Sequence, residues 1–255
     1  APLATLIRPP LAVAQALDPR EEVVEILQQH PITELPVVGT DGRFLGLIRQ
    51  AALVSALEQE TSIDIQTMVG VSRDERALSG SLFAVRKRLP WLQLNLVTAF
   101  LAASIVGMFE STIARFTALA VLMPVVAGQS GNAGAQALAV TMRGLVLREV
   151  SLRQWPHLVW KEAGAGFING IAIAATTSLG VWLWSRSIGL VAIIASAMVI
   201  SMSIACIAGA MVPILLRRFG QDPATASSIF LTTVTDICGF LSFLGIATLL
   251  SGMLE

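Results

Sequence analysis

The strongest constraint in this sequence is a single carboxylate, Asp236, inside the apolar stretch Ala226–Leu254. The stretch is long enough to span a bilayer, since a transmembrane helix needs about 20 apolar residues. Asp236 is its only formally charged residue, and about ten residues precede it, which places it near the middle of the membrane. An ionised carboxylate at that depth costs several kcal/mol unless it faces water, a partner or a cation.

The polar residues near Asp236 leave two interpretations open. Ser228, Thr232 and Asp236 recur at intervals of four residues, so they lie on one face of a helix. In the first interpretation, Asp236 bonds to neighbouring hydroxyl groups and only helps helices to pack. In the second interpretation, the carboxylate lines a path for a cation.

The composition indicates a membrane protein with a soluble part at its N-terminal end. The sequence is 55% hydrophobic and 13% charged, whereas soluble domains carry about 25% charged residues. The charged residues crowd into roughly the first ninety positions and a few later loops. We therefore expect a soluble module over residues 1–60, a connector over residues 61–88 and a membrane domain over residues 89–255.

Five apolar segments are predicted to cross the membrane. They are Trp91–Thr112, Phe116 to about Met142, about Gly164 to Trp184, Ile188–Leu216 and Ala226–Leu254. Loops rich in Lys and Arg alternate with loops that contain few of them. By the positive-inside rule this alternation predicts a cytoplasmic N-terminal domain, and an odd number of spans places the C-terminus outside.

The second segment contains an unusual polar run, GQSGNAGAQ, over residues 128–136. We expect this run to break or thin the helix, which at membrane depth is tolerated only against protein or water. Close helix packing through small residues is the alternative. Asn132 and Gln136 are one turn apart and add two carboxamides to one face. Oxygen ligands of this kind beside a carboxylate suit Mg²⁺, which keeps most of its water shell in proteins.

Two further acids lie at the edges of the predicted spans. Glu110 is near the outer end of the first segment, and Glu162 stands beside Lys161 where the third segment begins. Each has two interpretations: a role at the mouth of a pore, or an interfacial side chain that snorkels or pairs with a neighbouring cation.

The N-terminal part resembles a CBS module in its hairpin, ITELPVVGTDGRFLGLI. Leu35–Gly39 and Arg43–Ile48 are predicted strands joined by a turn at residues 40–42, between a helix that ends before Pro31 and a second from Gln50 to about Glu60. CBS modules usually occur in pairs and often bind adenine nucleotides. Here the Thr/Ser-x-x-Asp ribose contact of the family is replaced by residues 49–52, RQAA, so pairing with a second chain is expected rather than nucleotide binding.

Several separated stretches together resemble the MgtE family of magnesium channels. In chain order they are RLPWLQLNL, FE, LMPVVAGQSGNAGAQALAVTMRGL, WKEAGAGFINGI, GAMVPILLRRFGQDPATAS and TTVTDICG. The resemblance implies a mainly α-helical membrane protein with five spans per subunit, a homodimer in the bilayer of the cell (inner) membrane, and one pore on the dimer axis. Mg²⁺ is then the transported ion.

The resemblance also assigns residues to the pore and to its regulation. Asp236 matches the family carboxylate that holds a hydrated Mg²⁺, Ser228 and Thr232 match positions on the same pore face, and Gly128 and Asn132 match the second-span wall. In the family, acids of the cytosolic CBS and connector region bind Mg²⁺ and close the pore. Asp64, Asp74 and Glu75 lie in the matching connector, so they are the predicted regulatory Mg²⁺ ligands. The family's N-terminal helical domain and first CBS module are absent from this sequence.

Other functional classes fit the residues less well. A secondary transporter for a broader range of divalent cations (Co²⁺, Mn²⁺, Zn²⁺) stays open as the alternative. Such ions prefer softer ligands than carboxylate, but His30 and His157 lie outside the predicted spans and cannot supply one beside Asp236. An enzyme is not expected, because the sequence contains no HExxH, GxSxG or paired-Asp motif. An anion channel is disfavoured by a mid-membrane Asp without an intramembrane cation, and no nucleic-acid partner is expected.

Overall fold

The computed structural model describes residues 10–18, 20–30, 32–51, 67–72, 74–146, 150, 153–221 and 227–254. The chain divides into two compact units, Ala1–Ile63 and Asp64–Glu255. The boundary between the units falls inside the predicted connector.

In the described part of the N-terminal unit, a small sheet stands with a helix. Strand β1 (Ala14–Gln15) precedes helix α1 (Arg20–Gln29), which is followed by β2 (Glu34–Val38) and β3 (Phe44–Arg49). β1 pairs with β2 in parallel, and β2 pairs with β3 in antiparallel fashion. The predicted hairpin is therefore confirmed, and Gly42 in its turn adopts a φ of 75°, which favours glycine. The two-residue β1 was not predicted, because it is too short to show a strand pattern.

The helix predicted from Gln50 to about Glu60 is described only at its first two residues. The remainder of that prediction lies outside the described residues. Among the described residues, the core of the N-terminal unit contains the buried apolar residues Ala14, Val23, Leu27 and Leu35.

The C-terminal unit is built from helices. These are α2 (Ser81–Met108), α3 (Glu110–Arg115), α4 (Ala118–Val146), α5 (Trp155–Ser185), α6 (Ile188–Arg218) and α7 (Ser227–Leu249), followed by a 3₁₀ turn at Ser251–Met253. α2 begins at Ser81, ten residues before the predicted start at Trp91, because charged residues ahead of an apolar run continue the helix outside the predicted span. α7 ends at Leu249 rather than Leu254, where the chain turns into the 3₁₀ segment.

Within the described part of the chain, four helices are long and apolar enough to cross a membrane: α2, α5, α6 and α7. α4 has 29 residues and is of comparable length, but the polar run at residues 128–136 makes it less apolar. The count of five spans therefore stays a prediction.

Helix α6 is the centre of the helical unit. It packs against α4, α5 and α7, and its buried residues lie along almost its whole length. Glycines allow the close contacts with α5: a Cβ on Gly166 would lie 2.8 Å from the carbonyl oxygen of Met202, and a Cβ on Gly170 would lie 2.9 Å from the Cα of Val199. Small residues here let the backbones approach one another, as is common between membrane helices.

Candidate cation site on helices α4 and α7

The two helices that carry the candidate site pack against each other along the polar run of α4. A Cβ on Gly134 would lie 3.1 Å from side-chain atoms of both Leu231 and Thr235, and a Cβ on Gly239 would lie 3.3 Å from the Ser130 Oγ. As residue numbers rise along α7, the facing residues fall along α4, so the helices are antiparallel. Residue 132 is therefore level with residues 235–237.

Some hydroxyl groups in this region serve packing alone. The Ser130 side chain is fully buried, and its Oγ donates a hydrogen bond of 2.9 Å to the carbonyl oxygen of Val126. The Thr235 side chain is also buried, and its Oγ1 donates a 3.1 Å hydrogen bond to the carbonyl oxygen of Thr232. These groups are satisfied by their own helices and are not available to an ion.

Asp236 differs from these neighbours. It is the tenth residue of the 23-residue α7, and its side chain is half-buried in the protomer. Within the described part of the chain, the structure gives its carboxylate neither a hydrogen bond nor an ion pair. The interpretation of Asp236 as a residue that bonds neighbouring hydroxyl groups is not supported by these contacts.

The other two residues of the α7 stripe have local partners. Thr232 is exposed, and its Oγ1 donates a 2.5 Å hydrogen bond to the carbonyl oxygen of Ser228. The Ser228 Oγ in turn donates a 2.6 Å hydrogen bond to the carbonyl oxygen of Met68, in the connector. Because a hydroxyl retains its lone pairs when it donates, both oxygens can still accept a hydrogen bond from water.

The predicted α4 residues lie on the protomer surface. Gly128 and Asn132 are exposed, as is Gln136, and a Cβ on Gly128 would meet nothing within 4 Å. The expectation of a broken or thinned helix was wrong, because α4 is continuous through residues 128–136. The glycines act through close packing instead, as Gly134 does, and the backbone keeps its helical hydrogen bonds.

The two edge acids lie away from Asp236 in the protomer. Glu110 is exposed at the first position of α3. Glu162 is buried at 4% exposure, and its Oε1 lies 2.5 Å from the Nζ of the adjacent Lys161. It stands one turn before Gly166 on the α5 face that packs on α6, whereas α5 makes few contacts with α4. The roles of Glu110 and Glu162 at the mouth of a pore stay predictions.

The connector acids are held by the basic cluster at the start of α2. Glu75 is buried at 5% exposure, and both of its carboxylate oxygens bond Arg88, one of them at 3.1 Å from the Arg88 Nε. Asp74 is exposed and pairs with Lys87 at 3.3 Å. Asp64 lies outside the described residues. Among the residues that the structure describes, no three His, Cys, Asp or Glu side chains come together as a metal site.

The sequence interpretation missed these ion pairs and the bond from Ser228 to the connector. The acidic pair at residues 74–75 precedes the basic pair at residues 87–88 by 13 positions. This spacing matches neither the periodicity of a helix nor that of a strand, so it does not predict a contact. The only available signal was the opposite charge of two short clusters in one connector.

Comparison with known proteins assigns both parts of the chain to families. The MgtE family model, described as a divalent cation transporter, matches residues 123–246, and the CBS domain model matches residues 3–59. The first range covers α7 up to Ile246 and most of α4, including Asn132 and Asp236.

Three relatives are each named Magnesium transporter MgtE. The protein from Thermus thermophilus is 31% identical over 250 residues, which cover 97% of this chain and 55% of the relative. The Enterococcus faecalis protein is 30% identical over 232 residues (91% and 51%), and the Bacillus subtilis protein is 29% identical over 235 residues (92% and 52%). The chain spans about half the length of these curated relatives.

The matched helices carry the candidate site, and the similarity extends over nearly the whole chain. With four apolar helices of membrane-spanning length, this is a multi-pass membrane protein with a CBS domain. Residues 123–246 match the MgtE family of divalent cation transporters, and nearly the whole chain is similar to relatives named Magnesium transporter MgtE.

Proposed function

We propose that this chain forms a homodimeric channel for Mg²⁺, in which Asp236 holds the hydrated ion on the dimer axis. The observation that carries the proposal is the half-buried carboxylate of Asp236, which lacks a partner in the described protomer and is level with the exposed Asn132. The names of the relatives and the description of the family support Mg²⁺ as the ion.

The proposal of a homodimer rests on the free energy that it would cost to expose the polar groups of α4 and α7 to lipid. Asn132, Gln136 and Thr232 are exposed on the protomer surface, and Asp236 is half-exposed beside them. Ionisable and amide groups at mid-membrane are expensive unless they face protein or a water-filled cavity. A second copy that presents the same surface across a two-fold axis encloses them and leaves room for water.

Two carboxylates related by such an axis balance the charge of a divalent ion. Mg²⁺ loses its water reluctantly and is usually held by one or two carboxylates, with several waters retained. Asp236 from each subunit then accepts hydrogen bonds from the water shell, while Ser228, Thr232, Asn132 and the small Gly128 line the path. Glu110 and Glu162 are proposed to act at its mouths.

The membrane potential supplies the driving force for uptake. Moving one elementary charge across the membrane is worth about 2.3 kcal/mol per 100 mV, and a divalent ion gains about twice this amount. With the N-terminal unit in the cytoplasm and the C-terminus outside, a negative interior of the cell draws Mg²⁺ inward.

The functional test compares variants at Asp236 in liposomes that contain a Mg²⁺ indicator. Asp236→Ala and the nearly isosteric Asp236→Asn abolish uptake, since both remove the charge that holds the ion. The control is Asp41→Asn, which removes an acid in the exposed hairpin turn and leaves uptake unchanged. Wild-type uptake by Asp236→Ala, in protein of unchanged oligomeric mass, refutes the assignment of the carboxylate.

Regulation by cytosolic Mg²⁺ is proposed to act through the connector. The connector bonds α7 through Met68 and Ser228, and it bonds α2 through Glu75 and Arg88. Mg²⁺ that competes with Lys87 and Arg88 for the acids changes how the connector is held against both helices.

The regulatory proposal is tested by neutralising Asp64, Asp74 and Glu75 together. The triple variant is expected to stay open at internal Mg²⁺ concentrations that close the parent channel. Unchanged closure in liposome flux measurements assigns the acids to holding the connector alone.

A broader divalent cation transporter is the second candidate, because the matching family model is described by divalent cations in general. Uptake of Mg²⁺, Ca²⁺ and Co²⁺ with and without an applied potential separates the two. A channel responds to the potential and to the gradient of the transported ion itself, and it needs no other ion. A secondary transporter also requires a gradient of a coupled ion.

A further inference from the structure

A cavity that Asp236 does not line lies where α5 begins and α6 ends. Its volume is about 410 Å³. The described residues that line it come from these two ends: Arg153, Trp155, Met211, Ile214, Leu215 and Arg218. Neither the candidate cation site nor the connector uses any of them.

The two arginines of this cavity are not neutralised by the described part of the chain. No ion pair or hydrogen bond to a described residue is made by the guanidinium of Arg153 or of Arg218. Neighbouring cations at this end of the helices do have such partners: Arg217 donates a 3.3 Å hydrogen bond to the carbonyl oxygen of Leu145, and Lys161 pairs with Glu162. As far as the described residues go, the cavity therefore offers two guanidinium groups without a partner, and such groups bind phosphate with well-defined geometry.

The rest of the described wall is apolar and consists of Trp155 at the start of α5 and one face of α6. Met211, Ile214, Leu215 and Arg218 follow one another at i, i+3, i+4 and i+7, so the arginine ends an apolar stripe. Leu215 and Trp155 are each 40% exposed, which opens the cavity towards the side of the helices. Trp is typical of the level at which lipid headgroups meet the hydrocarbon.

This combination defines the occupant. Free phosphate would use the two arginines and leave the apolar stripe in contact with water, and an apolar molecule would leave the charges unused. A ligand with a negative head and a hydrocarbon tail satisfies both parts. Basic pockets between transmembrane helices are a recurring way to bind acidic lipids.

We propose that this cavity binds an anionic membrane phospholipid, with its phosphate between Arg153 and Arg218 and the start of an acyl chain along Met211, Ile214 and Leu215. The volume of about 410 Å³ accommodates a headgroup and part of a chain. The site adds a preference for acidic lipid that neither the family description nor the cation path accounts for.

The test measures lipid bound to the full chain in detergent micelles, by native mass spectrometry during titration with phosphatidylglycerol or phosphatidylcholine. The double variant Arg153→Gln/Arg218→Gln is expected to bind phosphatidylglycerol about 30-fold more weakly, since each basic residue near an anionic lipid contributes about a factor of five. The charge-preserving Arg153→Lys/Arg218→Lys variant retains most of the affinity.

The matched control is Arg186→Gln. Arg186 lies at the other end of α5 with its guanidinium 4.6 Å from the Trp182 ring, so it is also an arginine beside a tryptophan at a helix end. Its replacement leaves phosphatidylglycerol binding unchanged. Helical content and elution volume are measured for every variant, which separates loss of the site from loss of the fold.

Four results overturn the proposal. They are undiminished phosphatidylglycerol binding by the double glutamine variant, equal binding of phosphatidylcholine by the parent chain, an equal loss of binding in Arg186→Gln, and displacement of the lipid by an equal concentration of glycerol 3-phosphate. The last result assigns the two arginines to a soluble anion instead.

Discussion

The contact between α4 and α6 makes a sharp prediction for Gly209→Ala. A Cβ at this position would lie 2.3 Å from the carbonyl oxygen of Gly134 and 2.9 Å from both the Ala137 Cβ and the Leu138 backbone nitrogen. Two of these three atoms are backbone atoms, so no side-chain rotation relieves the clash. Since a carbon approaches a carbonyl oxygen to about 3.3 Å, the two helices must separate by roughly 1 Å.

This displacement has an energetic and a functional consequence. Overpacking of a close contact costs about 1–3 kcal/mol, which we expect as the loss in free energy of unfolding. Gly134 also packs against Leu231 and Thr235 of α7, so a shift of α4 changes the position of Asn132 relative to Asp236. Mg²⁺ uptake is therefore expected to fall together with stability, although Gly209 lies outside the proposed pore.

The measurement is unfolding by increasing SDS in detergent micelles, followed by circular dichroism, with Mg²⁺ flux in liposomes as the second readout. Gly164→Ala is the matched control, because a Cβ on Gly164 meets nothing within 4 Å. That control is expected to unfold at the same or higher SDS, since alanine is the better helix former by about 1 kcal/mol. If Gly209→Ala is as stable as Gly164→Ala, the close approach of α4 and α6 is wrong.

Two further predictions concern single hydroxyl groups. The Oγ1 of Thr141 is buried and has no hydrogen-bond partner among the described residues, so Thr141→Val is expected to leave the free energy of unfolding unchanged or to raise it by up to about 1 kcal/mol; a loss of stability in the same SDS titration would indicate an unseen partner. The Ser228 Oγ donates to the carbonyl oxygen of Met68, so Ser228→Ala is expected to weaken the attachment of the connector by about 1 kcal/mol. Faster amide exchange at residues 67–72 checks this, and unchanged exchange there contradicts it.

The sequence was sufficient to locate the candidate site because its signal is local. Ser228, Thr232 and Asp236 are placed on one helix face by their spacing alone, and a carboxylate in an apolar stretch is informative wherever it occurs. The CBS hairpin was predictable for the same reason, because its two strands and the turn between them follow one another directly in the sequence.

Features that depend on tertiary contacts were not predictable. The glycines of α4 suggested a broken helix, but whether a glycine breaks a helix or admits a neighbour depends on what packs against it. Gly134 lies against Ala205, Leu231 and Thr235, and the sequence does not show that these distant residues meet it. The pairing of Glu75 with Arg88 likewise requires the chain to turn back over 13 residues.

The central position of α6 restricts the motions by which the proposed pore can open. Because α6 is packed tightly on α4 through Gly134 and Gly209, and on α5 through Gly166 and Gly170, we expect these three helices to move together. We expect α7 to be the helix that moves, because its exposed face carries Asp236 and because it contacts the connector through Ser228 and Leu231, which lie against Met68. If the proposed path widens in this way, a single helix moves against three that keep their positions. Distances between spin labels on α4 and α5 are then expected to remain constant when the proposed channel opens.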